Sequence, residues 1–299
     1  MQVIFIVGPT ASGKTQLSVQ LANALGESLV VNCDSVQTYD GLQIGSARPT
    51  PQEMQSVPHE LFGYVPVGES LTAGQYRRDF FSLLQKVKDQ YENIFVVGGT
   101  GFYFQALEKG MFDAPSAPAE MKDEIERELQ TLEGFQKLYQ ELQAADPEAA
   151  NRIHKNDHYR LGRAIEVLRI TGRPLSQLEK EFQPQAFPFP LKKLGIWATR
   201  QDLESVVQQR TEKMLQQGLI QETERYSHLK DWSPLSSVGY KEVMQYLNGE
   251  LLYQDLSEKI SISTLQLAKK QRTWFQRDSQ IRWYPMGTSW EQCLDYVKI

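Results

Sequence analysis

A phosphate-binding motif near the start of the chain constrains the possible folds more than any other feature. Its eight residues follow the pattern G-x-x-x-x-G-K-[ST] and are Gly8, Pro9, Thr10, Ala11, Ser12, Gly13, Lys14 and Thr15. The apolar run at residues 3–7 predicts a buried strand before the motif, and the apolar spacing of residues 16–25 predicts a helix after it. A strand, a glycine-bounded loop and a helix in this order favour a phosphate loop over a glycine-rich turn that happens to contain a lysine.

The physical role of such a loop is to hold an anion. Its glycines allow several backbone N–H groups to point at one phosphate, and the N-terminus of the following helix adds a partial positive charge. We expect Lys14 to reach the terminal phosphates and the Thr15 hydroxyl to ligate Mg²⁺. The reaction that uses the phosphates has to come from other residues.

Length and composition describe an ordinary globular chain. The 299 residues, 40% of them hydrophobic, suffice for one large domain or two smaller ones. No apolar run is long enough to span a membrane, and no signal or transit peptide is visible, so we expect a cytoplasmic protein. The two cysteines, Cys33 and Cys293, are too few for a disulfide framework or a cysteine-rich zinc site. The net charge of −5 argues mildly against a nucleic-acid partner, although local basic patches decide phosphate affinity.

The order of strands and helices predicts an α/β fold with a doubly wound parallel sheet at its core. Apolar strands are predicted at residues 3–7, 28–34 and 93–97, and each runs into a polar or glycine-rich end before a helix. Ligands of such sheets bind beyond the carboxyl ends of the strands, so Asp34 is expected near the phosphate loop. A later strand, at 194–199, and a last short one, at 280–284, complete the pattern.

Two proline-rich stretches, at residues 114–118 and 184–190, bound a segment that reads as wholly helical from 119 to about 181. We therefore predict a phosphate-loop catalytic core formed by residues 1–114 and 190–299, with an all-helical insertion domain at 115–189. Amphipathic helices follow the insertion up to about residue 275.

Three side chains outside the loop are candidates for chemistry. Asp34 could cap a turn, bind near Mg²⁺ or act as a general base. Thr100, between two glycines at a strand end, could be part of a simple turn or could position Asp34 or a substrate. Arg210 is either a solvated helix charge or a clamp for an anionic leaving group. The third strand ends in Gly-Gly-Thr-Gly, so the aspartate that motor-type ATPases carry after a later strand is missing.

Two segments interleave cations with aromatic rings in an otherwise acidic chain. One is residues 159–163, which share a predicted helical segment with Arg169 and Arg173, and the other is residues 269–277. Phosphates need cations and unstacked bases need aromatic surfaces, so both segments are candidates for RNA contact. The alternative is a solvated basic helix face. The four histidines show no metal-ligand spacing.

Taken together, these motifs resemble those of the bacterial tRNA dimethylallyltransferases, also called tRNA isopentenyltransferases. The matching stretches occur in family order along nearly the whole chain, at residues 8–15, 34–39, 44–45, 97–103, 163–167, 171–172, 238–242 and 268–275. The chain departs from the usual pattern at a few positions. Phe102 stands in place of Leu, Ser46 to Arg48 in place of Thr-x-Lys, Glu60 in place of a second His, and Lys270 in place of Arg.

The resemblance implies transfer of a dimethylallyl group from its diphosphate to the exocyclic amine of the adenosine on the 3′ side of the anticodon. It implies that Lys14, Arg210 and a Mg²⁺ ion at Thr15 stabilise the departing diphosphate, and that Asp34 removes a proton from the amine with help from Thr100. Mg²⁺ is the expected cofactor, and the expected partners of a monomeric enzyme are dimethylallyl diphosphate and the anticodon stem-loop, gripped partly by the helical insertion.

The residues that the resemblance assigns to tRNA lie in several stretches. They are Asp34, Ser35, Val36, Gln37, Thr100, Tyr159, Arg160, Leu161, Gly162, Arg163, Ser236, Ser237, Val238, Gly239, Tyr240, Lys241, Lys269, Lys270, Gln271, Arg272, Thr273, Trp274, Phe275 and Gln276.

Three other functions use part of the same motifs. A small-molecule kinase would use the loop to bind ATP. An isopentenyltransferase acting on a free adenine nucleotide would leave the two basic-aromatic segments without a role. A nucleotide-gated RNA-binding switch would keep those segments but would have no need of Asp34.

Overall fold

The computed structural model describes residues 1–55, 57–112 and 117–298. The chain divides into two compact units, Met1–Glu108 with Phe187–Ile299, called here the sheet unit, and Lys109–Ala186, called the helical unit. The sequence placed these divisions at 114/115 and 189/190. Of the first predicted linker, residues 114–116 lie outside the described residues.

The described residues form one sheet of six parallel strands in the order β3-β2-β4-β1-β5-β6. The strands are β1 (Gln2–Val7), β2 (Ser28–Asn32), β3 (His59–Glu60), β4 (Asn93–Val97), β5 (Leu191–Trp197) and β6 (Arg282–Pro285). This confirms the predicted parallel sheet. Strand β3 was not predicted, because two residues are too few to show any periodicity.

One or more helices separate each pair of consecutive strands. The helices are α1 (Lys14–Leu25), α2 (Pro51–Met54), α3 (Ala73–Val87), α4 (Gly101–Lys109), α5 (Ala119–Leu129), α6 (Leu132–Ala145), α7 (Pro147–Arg152), α8 (His158–Thr171), α9 (Leu175–Glu181), α10 (Arg200–Gln216), α11 (Leu219–Tyr226), α12 (Tyr240–Leu247), α13 (Tyr253–Phe275) and α14 (Trp290–Lys298). A 3₁₀ turn, Ser233–Ser236, precedes α12.

Strand β1 shows why helices cover both faces of the sheet. All its residues from Val3 to Val7 are buried, so neighbouring side chains need apolar partners on opposite sides. Ile4 and Ile6 belong to a core cluster with Leu17 of α1. Phe5 points the other way and meets Phe104 of α4 edge to face, with 4.9 Å between the ring centroids. Burying each such side chain contributes roughly 1.5–3 kcal/mol.

The helical unit has a core of its own. Ile125, Leu138, Leu142, Leu161 and Ile165, from α5, α6 and α8, are fully buried within it. Helix α8 begins after Asp157, whose carboxylate accepts the N–H of Arg160 at 3.1 Å, and it ends at Thr171 before Gly172.

The prediction that Arg173 shares a helix with Arg163 was wrong, because Gly172 adopts a left-handed conformation, with φ of 66°, and terminates α8. Among the residues that the structure describes, no helix combines the length and hydropathy needed to cross a membrane.

Candidate active site

A cavity of about 800 Å³ lies in the sheet unit, beyond the carboxyl ends of the central strands. Its walls come from the loop after β1, from Asp34 after β2 and from Gly98 and Gly99 after β4. Arg210 of α10 and Gln271 of α13 close another side. This is the position at which open parallel sheets bind their ligands, and it brings the predicted loop, Asp34 and Arg210 into one cavity.

The loop from Gly8 to Lys14 depends on backbone conformations that most residues avoid. Gly8 has φ of 148°, and a Cβ atom there would lie 2.7 Å from the Ile196 carbonyl oxygen, so no side chain fits. Ala11 and Gly13 have φ of 64° and 88°, which turns successive peptide units within the loop. Helix α1 then begins at Lys14, beside the cavity. Its first N–H groups lack helical partners and are suited to binding an anion.

Lys14 carries the clearest electrostatic signal in the cavity. Its Nζ donates to the Pro9 carbonyl oxygen of the same loop at 2.7 Å. Burial lowers the pKa of Lys14 from 10.5 to about 8, while the nearby Asp34 charge opposes the shift and the Arg210 charge adds to it. The ammonium is therefore short of compensating negative charge, which a bound anion would supply.

Arg210, like Lys14, has a pKa below its usual value. Burial lowers the pKa of its guanidinium, and the negative charges of Asp34 and Glu53 only partly oppose that effect. Within the described part of the chain, no carboxylate lies within ion-pair distance of Lys14 or Arg210. Two half-buried cations that pair with no described carboxylate are suited to a multiply charged ligand such as a diphosphate.

Asp34 is held by local hydrogen bonds in a defined orientation. Its Oδ1 accepts the N–H groups of Val36 at 2.9 Å and Gln37 at 3.4 Å, and its own N–H donates to Asn32 Oδ1 at 3.0 Å. The carboxylate thus caps the turn after β2 through one oxygen, in agreement with one of the roles considered from the sequence. The structure records no hydrogen bond from a described residue to Oδ2.

Thr100 contacts the residue next to Asp34. Its Oγ1 accepts the Ser35 N–H at 2.9 Å and lies 3.2 Å from the Ser35 hydroxyl. Gly98 allows the end of β4 to lie this close to the end of β2, since a Cβ atom at Gly98 would lie 2.0 Å from the Cys33 carbonyl oxygen. The ends of β2 and β4 are therefore joined through Thr100 and Ser35, and Thr100 supports Asp34 through Ser35.

Gln271 joins α13 to the phosphate loop. Its Oε1 accepts the Thr10 N–H at 2.7 Å, and its Nε2 donates to the Gly99 carbonyl oxygen at 3.1 Å. The residue is only 9% exposed, so its polar atoms are committed to these two backbone groups. The sequence suggested RNA contact here, whereas the structure shows a side chain that ties two walls of the cavity together.

The rest of the 269–276 segment divides by helix face. Lys269, Lys270, Thr273 and Gln276 are exposed. Inward, Trp274 packs so closely on Gly101 that a Cβ there would lie 2.1 Å from the ring, and Phe275 is buried. Arg272 donates to the Ala198 carbonyl oxygen at 3.2 Å, and its guanidinium lies 5.5 Å from the Trp197 ring centroid.

The other predicted RNA-contact stretches also mix exposed and buried residues. Ser236 and Lys241 are exposed, Ser237 and Val238 are half-buried, and Gly239 and Tyr240 are buried. In the helical unit, Tyr159 is 83% exposed, while Leu161 and Gly162 lie in that unit's core. For the buried side chains of Leu161, Tyr240 and Phe275, any part in RNA binding is indirect, through the exposed residues that they support.

The oxygen donors at the cavity fit Mg²⁺ bound together with its ligand. The Thr15 hydroxyl and the Asp34 carboxylate line the cavity. The described residues contain no group of three or more His, Cys, Asp or Glu side chains able to hold a metal by themselves. Magnesium keeps several waters and commonly takes its other ligands from one or two protein oxygens and from substrate phosphates, so a small donor set suffices.

Comparison with known proteins agrees with the family suggested by the motifs. A family model described as IPP transferase matches residues 37–278. The chain is 47% identical over 300 residues to the tRNA dimethylallyltransferase of Bdellovibrio bacteriovorus, which covers 99% of this chain and 97% of that protein.

Two solved structures share the fold along the chain. A full-length tRNA isopentenylpyrophosphate transferase from Bacillus halodurans is 29% identical with a TM-score of 0.71, covering 99% of this chain and 94% of the other. A eukaryotic dimethylallyltransferase captured acting on tRNA gives a TM-score of 0.82 at 24% identity, covering 99% and 79%, and is similar in fold.

Proposed function

Because the chain belongs to the IPP transferase family, we propose that it transfers a dimethylallyl group from dimethylallyl diphosphate to tRNA. The proposed acceptor is the exocyclic amine of the adenosine on the 3′ side of the anticodon, and the products are isopentenyladenosine in the tRNA and diphosphate. The observation that carries this proposal is one cavity in which two half-buried cations, Lys14 and Arg210, lie near one carboxylate, Asp34.

The cations would serve the leaving group. As the bond between C1 of the dimethylallyl group and the diphosphate oxygen breaks, negative charge grows on that oxygen. Lys14, Arg210 and the N–H groups at the start of α1 would stabilise this charge, as preorganised donors do most effectively in a cavity that excludes water. The phosphate loop would then bind a diphosphate without hydrolysing a nucleotide.

Mg²⁺ would be held by the Thr15 hydroxyl together with diphosphate oxygens. When bound, the ion supplies further positive charge to the leaving group. The proposal does not require Asp34 to be a ligand of the ion, because the same carboxylate has a second task.

Asp34 would receive the proton of the acceptor. The adenine N6 forms a bond to C1 of the dimethylallyl group and must lose one proton, and an aryl amine is too weak a base to keep it in competition with a carboxylate placed nearby. Asp34 Oδ2 would take that proton, while Oδ1 continues to accept the N–H groups of Val36 and Gln37. Thr100 would keep Ser35, and with it Asp34, in place.

The adenine has to leave the stacked anticodon loop to reach Asp34. Unstacking a base costs a few kcal/mol, which contacts in the pocket and along the backbone offset. Ser35, Val36 and Gln37 would line that pocket. Exposed cations of α13 and of the helical unit would bind the phosphates of the stem-loop. Since one chain supplies every group in this scheme, we propose that the enzyme is a monomer. We also propose that it acts in the cytoplasm.

A labelled-donor assay tests the proposal and separates it from the alternatives. The protein is mixed with Mg²⁺, labelled dimethylallyl diphosphate, and either an anticodon stem-loop with adenosine at the target position or free AMP. We expect label in the stem-loop only. Label on AMP would favour the free-nucleotide enzyme, phosphate transfer from ATP would favour the kinase, and RNA binding without turnover would favour the switch.

A further inference from the structure

A buried carboxylate outside the cavity holds the segment of residues 43–46. Glu222, on α11, is 8% exposed and accepts hydrogen bonds from three consecutive backbone N–H groups. They belong to Gln43 at 2.9 Å, Ile44 at 2.9 and 3.0 Å, and Gly45 at 3.0 Å.

Tyr240, at the start of α12, completes this arrangement. Its hydroxyl donates to Glu222 Oε1 at 2.6 Å and accepts the next N–H of the segment, that of Ser46, at 3.1 Å. The tyrosine ring also lies against Gly45, where a Cβ atom would be 2.5 Å from the ring. Glu222 and Tyr240 therefore bind four successive N–H groups, and Gly45 is required for the approach.

The held segment is a wall of the cavity. Gln43, Ile44, Ser46 and Ala47 all line it. The segment also fixes a side chain expected at the acceptor base, because Gln37 Nε2 donates to the carbonyl oxygens of Ser46 at 3.0 Å and Ala47 at 3.1 Å. The N–H of Gln37 in turn lies 3.4 Å from Asp34 Oδ1. A continuous set of contacts thus runs from Glu222 to the turn that carries Asp34.

Packing alone does not account for a carboxylate at this position. Moving a charged group out of water is costly, and hydrogen bonds must offset that cost for the folded state to keep it. The hydrogen bonds to the Glu222 carboxylate come from the 43–45 segment and from Tyr240, which binds the same segment. The pair is therefore suited to fixing this one wall in a single conformation.

We infer that Glu222 and Tyr240 are positioning residues for the acceptor base, holding the 43–46 segment so that Gln37 and the Asp34 turn face the adenine. This inference rests on the proposed function for the identity of the acceptor. It assigns a role in shaping the base pocket to α11 and α12, and it gives the buried Tyr240 a function other than direct contact with tRNA. The hydrogen bonds of this pair go to residues 43–46 and to each other, and those recorded among the described residues do not reach the phosphate loop.

Two variants test the inference, with a matched control from the helical unit. Glu222→Gln replaces one acceptor oxygen by an amide donor, and Tyr240→Phe removes the hydroxyl while keeping the ring against Gly45. Asp146→Asn is the control, since Asp146 is also a buried carboxylate that accepts backbone N–H groups, but those of its own unit, Ala149 at 3.0 Å and Ser176 at 2.8 Å.

Hydrogen exchange and steady-state kinetics provide the readouts. Losing the acceptor of a buried N–H should speed amide exchange of residues 43–46 about tenfold or more in both test variants. We expect kcat/KM for the stem-loop to fall about tenfold as well, while the Kd for inorganic diphosphate stays within about twofold. The control should lower Tm without changing exchange at 43–46 or kcat/KM.

The readouts separate the possible failures. A test variant that lowers Tm but leaves segment exchange and kcat/KM unchanged would overturn the inference, and so would a parallel loss of diphosphate binding. A wild-type protein that transfers nothing to the stem-loop would refute the proposed function instead, and exchange at residues 43–46 would still decide whether Glu222 and Tyr240 hold the segment.

Discussion

The sheet unit and the helical unit both contain cations beside aromatic rings, but they differ in how those cations are compensated. In the helical unit, Arg160 pairs with Asp157 at 2.6 Å and Arg163 pairs with Glu166 at 2.6 Å. In the sheet unit, no ion pair among the described residues involves Lys269 or Lys270, which lie exposed on α13. Similar sequence patterns therefore present different amounts of available charge.

The same contrast holds for the cavity. Lys14 and Arg210 are half-buried, no described residue forms an ion pair with either, and burial lowers the pKa of each. A phosphate that binds there meets cations whose charge is not already neutralised, whereas a phosphate that approaches Arg160 competes with an existing carboxylate. Ligand binding should therefore depend far more on cations of the sheet unit than on those of the helical unit.

The largest effect is expected within the cavity, at Asp34. Asp34→Asn keeps an oxygen for the N–H groups of Val36 and Gln37 but cannot accept the proton, so kcat should fall by roughly two to four orders of magnitude. Stem-loop affinity should stay within about twofold, because the turn is preserved. Single-turnover transfer and filter binding provide the measurements.

Asp40→Asn is the control for that change, since Asp40 is an exposed carboxylate of the same segment. It should leave kcat unchanged. Equal losses of transfer and RNA binding in Asp34→Asn would show that Asp34 has a structural role, and would contradict its proposed role as the proton acceptor.

The next effect concerns the link between α13 and the phosphate loop. Gln271→Ala leaves the Thr10 N–H and the Gly99 carbonyl oxygen without partners, and an unpaired buried group costs about 1–3 kcal/mol. The loss also frees the phosphate loop from α13, so its N–H groups are less well ordered before the anion binds, and diphosphate affinity, measured by calorimetry, should fall by roughly tenfold. Gln276→Ala, at an exposed position of the same segment, should bind diphosphate normally. Weaker RNA binding with unchanged diphosphate binding in Gln271→Ala would contradict this role.

The depressed pKa of Lys14 predicts a pH dependence of ligand binding. Diphosphate binds the protonated ammonium, so affinity should fall by about tenfold per pH unit as the pH rises above about 8.

The contribution of Lys14 to the free energy of unfolding should change in the opposite direction and rise with pH. The pKa is lower in the folded state than the unfolded value of 10.5, so the cost of burying the charge is fully present below about pH 8 and disappears as the pH rises towards 10.5.

Lys14→Arg is the matched variant, because its guanidinium stays protonated over this range. Calorimetric titrations with diphosphate from pH 7 to 10 should show a flatter profile for the variant than for the wild type. Profiles of equal slope would mean that Lys14 does not set the binding of the anion.

The smallest effect tests the surface cations directly. Replacing Lys269 and Lys270 by Ala should reduce the slope of log K against log salt by about 0.7–0.9 for each phosphate contact that is lost. Arg160→Ala should change RNA affinity and the salt slope less, because Asp157 already compensates this guanidinium. Binding of the stem-loop at several salt concentrations distinguishes the variants. A larger change for Arg160→Ala would contradict the expectation that RNA binding depends mainly on cations of the sheet unit.

Features encoded by neighbouring residues could be predicted from the sequence. The phosphate loop is continuous in the chain, and β1, β2 and β4 are apolar runs that end in turn-forming residues. The end of α8 was also accessible, because Gly172 is a typical helix-terminating residue, although Arg173 was assigned to the same helix.

Features that depend on which elements meet in space could not be predicted in this way. Gln271 bonds to Thr10, 261 positions away in the chain, and Glu222 bonds to a segment about 180 positions away. In the sequence, Glu222 is an ordinary polar residue of an amphipathic helix, and Gln271 stands out only as part of a candidate RNA-contact segment. Their roles follow from the packing of α13 and α11 beside the cavity, which periodicity alone does not specify.

The most direct test of the proposed transfer is whether label still enters the RNA when only the acceptor amine is changed. Two anticodon stem-loops are compared, one with adenosine on the 3′ side of the anticodon and one with purine ribonucleoside, which lacks the exocyclic amine, at that position. The proposed reaction predicts that label from dimethylallyl diphosphate enters the first RNA and is absent from the second, while both RNAs bind. Equal labelling of the two would contradict it.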